Sequence, residues 1–171
     1  HEEKINIDNQ SGNPIFIDNK FVDYNELKPR GHYTKSDTLK KYFRGFKWIS
    51  LNGINLDNDE QLKGLILFAY TIKNNKEINN QYSQYISVMK KLAGKEDNLS
   101  LSDVVKSLTA QTLDEALSAK SVATIKKQLL NLDKEKIAKV FGDSFQTEEK
   151  SIKRVYFISS TYSMSGEIFS K

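Results

Sequence analysis

The stretch FKWISLNGINLDNDEQLKGLILFAYTIK, residues 46–73, decides the fold. At a period of two, FKWISL sets Phe46, Trp48 and Ser50 against Lys47, Ile49 and Leu51. Asn52-Gly53 then falls between apolar runs. Asn-Gly is the strongest short hairpin signal, because a type I′ turn needs positive φ at both central positions. LDNDEQ breaks the pattern. LKGLILFAYTIK, at 62–73, is rich in branched and aromatic residues and reads as a strand buried on both faces.

Upstream the same reading continues. KINID alternates, with Ile5 and Ile7 on one face. NQSGNP at 9–14 is dense in turn formers, and IFIDNKFV at 15–22 folds back around Asp18-Asn19-Lys20 as a tight hairpin. Pro29-Arg30-Gly31 marks another turn. This opening resembles that of many small secreted β-sandwiches, over roughly the first third of the chain and without pointing to any one family. The resemblance implies an extracytoplasmic module.

Downstream of residue 73 the period changes. Ile78, Tyr82, Tyr85, Ile86, Met89 and Leu92 recur at helical spacing, and Gly94 is a natural stop. Ser100 with Asp103, and Thr112 with Glu115, have capping-box spacing. Val122, Ile125, Leu129 and Leu132 share a face, and a last helix is bounded by Asp133 as N-cap and Gly142 as terminator. IKRVYFISSTYSMSGEIFS at 152–170 alternates again, with a turn at Met164-Ser165-Gly166. No Pro-, Gly- or Ser-rich linker divides the chain. The expectation is therefore one α+β domain over residues 1–171. Its antiparallel, β-sandwich-like sheet is formed by N-terminal strands within 1–73 and C-terminal strands within 152–170, with a helical insertion at about 77–142.

Composition narrows the function. The 171 residues are 38% hydrophobic and 11% aromatic, enough for one core. No apolar run approaches the roughly 20 residues of a membrane span. Cysteine is absent, which removes disulfides, thiol nucleophiles and thiolate metal sites. The two histidines are His1, at the terminus, and His32, beside Gly31 in a basic turn. His32 reads as an exposed loop residue, so a nucleophile–base–orienter triad has little to build on. No phosphate-binding glycine motif occurs. Asp57, Asp59 and Glu60 could offer oxygen ligands to calcium, but the EF-hand spacing fails and a solvated acidic turn is the better reading. The expectation is no catalytic residue, no cofactor and no metal; an enzyme with no readable motif stays open as an alternative.

The positive signal is charge. Residues 28–48, KPRGHYTKSDTLKKYFRGFKW, hold seven Lys or Arg against one acid, Asp37, a net of +6 where the whole chain carries +4. Tyr33, Tyr42, Phe43, Phe46 and Trp48 are interleaved. DTLKKYFRG can also be a helical turn with Leu39 and Phe43 inward, which makes the aromatics structural and leaves the cations facing water. Either way a positive patch remains. Lys28, Arg30, His32, Lys35, Lys40, Lys41, Arg44 and Lys47 are the expected partner-binding residues. An acidic protein surface is the favoured partner, an anionic membrane the alternative, and nucleic acid ranks last, because no recognition motif accompanies the modest net charge. Richness in Lys, Asn and Ile suggests a bacterial source with an AT-rich genome. The opening at His1 leaves room for a removed leader, so the expected setting is periplasmic, lipoprotein or secreted, associated with secretion or toxin–immunity systems.

Overall fold

Residues 59–74 are helical, and that one change reorganises the molecule. Along this segment Leu62, Leu65, Ile66, Ala69 and Ile72 are buried, a spacing of three and four, while Leu67 and Phe68 are 43% and 56% exposed. A strand cannot bury two neighbours and expose the next two; a helix does so naturally. The helix starts where DNDEQ had read as a broken pattern. Asn58 is the N-cap, its side chain accepting from the backbone N–H of Gln61 at 3.1 Å, and Asp59 and Glu60 lie in the first turn, where the helix dipole favours acids.

The computed structural model describes residues 2–12, 23–94, 96–141 and 153–158, with backbone alone for 92, 93 and 134–141. In chain order the elements are α1 (Glu2–Asn9), two 3-10 turns (Tyr24–Leu27 and Gly31–Thr34), α2 (Asp37–Leu51), β1 (Gly53–Asn55) and α3 (Asp59–Asn74). Then follow α4 (Lys76–Ala93), α5 (Leu101–Ser107), α6 (Leu113–Leu117), α7 (Ala119–Phe141) and β2 (Arg154–Tyr156). The expected β-sandwich-like sheet is overturned. Among the described residues the only sheet is the antiparallel pair β1–β2, with Gly53 opposite Tyr156, Ile54 opposite Val155 and Asn55 opposite Arg154. KINID lies in α1 and FKWISL in α2, so the likeness to a sandwich opening is lost with the strands. The proposed hairpin at 15–22 and the strands beyond 158 lie outside the described residues.

Asn52-Gly53 is not a hairpin turn. Asn52 caps α2: its backbone N–H and its side-chain Nδ2 both donate to Trp48 O, at 3.3 and 2.7 Å. Gly53 then opens β1 against Tyr156. Its glycine requirement comes from crowding, because a Cβ there would lie 2.9 Å from Arg154 Cβ and 2.9 Å from Tyr156 Cε1.

α3 is the axis of the core and packs against α4, α5, α6, α7 and β1. Its buried face shares one apolar cluster with Ile54, Leu99, Val104, Leu108, Ala116, Val122, Ile125, Leu129 and Val155. The helical region expected at 77–142 is present, but its last member is different: α7 runs unbroken through Asp133, which pairs with Lys153 at 3.0 Å instead of capping a new helix. β2 is held from several sides. Its neighbours include β1, the Leu99 carbonyl that accepts from Tyr156 N–H at 3.0 Å, α2 and, through Lys153 just before the strand, α7.

Candidate functional site

The eight expected partner-binding residues fall on two pieces of structure. Lys28, Arg30, His32 and Lys35 lie on and beside the two 3-10 turns, and all four are exposed. Lys40, Lys41, Arg44 and Lys47 lie on α2. Within α2 the spacing 40, 44, 47 follows one face, and Lys41 flanks it. Ser36 starts this helix, its Oγ accepting from Leu39 N–H at 3.2 Å.

Aromatic rings join the two pieces. His32 lies on Tyr33, with centroids 3.9 Å apart. Tyr33 stacks on Tyr42 at 6.2 Å and leans on Phe43 at 5.0 Å; Tyr42 stacks in turn on Phe46 at 6.0 Å. Offset ring contacts at these distances are favourable, so the row of rings seats the second turn against α2. The row is not wholly interior: Tyr42 is 57% exposed, while Lys40 and Arg44, each two residues from it, point to another side of the helix. The helical alternative for 37–45 thus describes this segment, while the pairing of Phe46 with Trp48 on one face does not hold. Two residues along a helix turn by about 200°, which sends Phe46 to the ring stack and Trp48 elsewhere.

Local acids neutralise little of the charge. Arg30 meets Glu26 at 3.8 Å and Lys40 meets Asp37 at 3.0 Å, both pairs on the surface, where such contacts contribute little. Lys40 is the main reason that the Asp37 carboxyl is held below its ordinary 3.8, and Lys41 and Arg44 add to the effect. A single carboxylate thus senses three of the cations, which places them in one local field.

Trp48 belongs to a cluster that sequence reading missed. Its Nε1–H donates to Glu3 Oε1 at 3.1 Å and to the Tyr24 hydroxyl oxygen at 2.9 Å, and Tyr24 O–H donates to Glu3 Oε1. Tyr24 is fully buried. Burial first, then the hydrogen bond it donates to the Glu3 carboxylate, push its phenol well above the ordinary 10.0. Asn52, also buried, completes the group, and its Oδ1 has no hydrogen-bond partner. These residues are spread from 3 to 52, so no local spacing could have announced them. The only readable hint was Asp23, which caps the turn that carries Tyr24.

Elsewhere the polar groups read as structure. Ser100 and Ser102 hydroxyls bond each other at 2.9 Å and Glu96 Oε2 at 2.6 and 3.1 Å, while Asp103 accepts from Ser100 N–H at 3.0 Å. That is the expected capping box, closed over the start of α5. Asp57 and Asp59 bracket Lys126 at 3.1 and 4.0 Å, which ties the start of α3 to α7. Among the described residues no group of three or more His, Cys, Asp or Glu could hold a metal ion. Nor is any helix there long and apolar enough to cross a membrane.

Fold and site together define a mainly helical chain, closed by a two-stranded clasp and bearing a cationic face and a row of stacked rings on its N-terminal third. The chain belongs to the family described as "Protein of unknown function (DUF3160)", which matches residues 2–171. No curated protein and no solved structure matches it.

Proposed function

We propose that this chain is a binding module that takes an acidic partner protein on the face made by the second 3-10 turn and α2. One observation carries the reading: Lys40, Arg44 and Lys47 recur along one side of α2 with Lys41 beside them, in a helix whose one acid is Asp37, and Tyr42 lies open to solvent on the same helix. Tyr and Arg are the residues that most often anchor protein interfaces, and a concentrated positive field speeds encounter with an acidic surface. The extracytoplasmic expectation has lost the sandwich resemblance it leaned on and does not enter this proposal.

The test reverses Lys40, Lys41 and Arg44 to Glu together and follows association with immobilised poly-L-glutamate. Association should slow by on the order of tenfold or more, with far-UV circular dichroism and melting unchanged. An unaltered rate would remove the patch from binding. Pelleting with anionic vesicles without poly-L-glutamate binding would move the assignment to the membrane.

A further inference from the structure

Glu3 makes a contact its helix does not explain. α1 has eight residues and buries no side chain, and an isolated helix shorter than about 12–15 residues is marginal in water. Yet the Glu3 carboxylate rests on two donors that belong to other elements, the Tyr24 hydroxyl of the first 3-10 turn and the Trp48 indole N–H of α2. That turn and α2 pack directly on each other, so α1 is not what brings the donors together. Hydrogen bonds to an ionised acceptor are shorter and stronger than neutral ones, and here one donor is fully buried. The pair thus presents an O–H and an N–H donor to one carboxylate oxygen. It also borders the cationic face: Arg44 lies one helical turn before Trp48, and Lys47 is its chain neighbour.

We infer that the Tyr24–Trp48 donor pair is a carboxylate-binding site that Glu3 fills in cis, and that an acidic side chain of the partner takes it over and displaces α1. The inference rests on the proposed function, since it needs an acidic partner at the adjoining face. It adds a self-masking step. The chain's own carboxylate occupies the site until a surface richer in carboxylates, held nearby by the cations, competes it away.

Trp48 is the one tryptophan in the chain, so its emission reports this site alone. Poly-L-glutamate is titrated into the parent, Glu3→Gln, Glu3→Ala and the double variant Glu3→Ala/Trp48→Phe, with binding measured on a sensor surface and, where Trp48 is present, by its emission. Far-UV circular dichroism checks that each variant is folded, which the absence of buried side chains on α1 favours. Glu3→Ala should bind about tenfold tighter, the factor given by roughly 1.4 kcal/mol, and Glu3→Gln should also bind tighter than the parent. The probe should shift Trp48 emission, and replacing Trp48 should cancel the gain in the Glu3→Ala background. A mere tether predicts no gain in affinity. If the parent and Glu3→Ala bind equally, or if Trp48 stays silent while the probe binds, the masked site is refuted and the cationic face stands. If neither protein binds the probe, both readings fall.

Discussion

A methyl group on Gly53 would lie 2.9 Å from Arg154 Cβ and from the Tyr156 ring, and neither neighbour is free to move. Arg154 Nη1 donates to Gly53 O at 3.0 Å, and Tyr156 N–H is held by Leu99 O. Overpacking of this kind typically costs about 1–3 kcal/mol, so Gly53→Ala should lower stability by that amount in chemical denaturation. A neutral outcome would mean the strands sit further apart than described. Asp37 supplies a second residue-scale check. Its carboxyl should titrate below 3.8 by NMR, and Lys40→Ala should move the midpoint up, because Lys40 is the first cause of the depression. The sign follows from linkage: a lowered carboxyl contributes stability above its unfolded value, and that is lost as pH falls through the folded value. Asp37 is fully exposed, so the midpoint rather than overall stability is the quantity to follow.

At the scale of elements, the helices from Lys76 onward were legible and α3 was not. α4 kept its apolar residues to one side, and α5 and α6 were announced by capping spacings that the structure forms. In α3, Leu67 and Phe68 are exposed apolar residues outside the buried face, so the helical period is hidden inside a continuous run. The cap at Asn58 with Gln61 three residues on was the discriminating signal. In the same way Asn52-Gly53 carried a hairpin signature, but its amide serves α2 and its glycine serves Tyr156. The cations of the candidate site were legible because charge density needs no fold. The Glu3–Tyr24–Trp48 group was not, because its members are 21 and 45 residues apart. Neighbouring substitutions test the helix. Leu65→Ala and Ile66→Ala should each cost about 2–5 kcal/mol, while Leu67→Ala, at an exposed position, should stay within about 0.5 kcal/mol. Losses at 65 and 67 with 66 tolerated would restore the strand.

At the scale of the whole molecule, the cluster of buried residues centred on α3 begins at Ile54 and ends at Val155. Tyr24 and Leu27, the buried apolar side chains described before it, are not members. Among the described residues, the N-terminal third, which carries the cationic face and the Glu3 contact, meets the main core by chain continuity at Asn52-Gly53 and by the packing of α2 on β2. A segment whose described residues bury so few apolar side chains belongs to the low-stability end of local unfolding, although it is too small to fold unaided. Trp48 reports on this third, while most of the helical signal comes from α3 to α7. In a denaturant titration the Trp48 emission should therefore shift at a lower midpoint than the far-UV helical signal. A surface intended to release α1 and accept another chain's carboxylate needs that order of events. Coincident midpoints would show the N-terminal third to be as firmly held as the core, and displacement of α1 would then have to work against the stability of the entire fold.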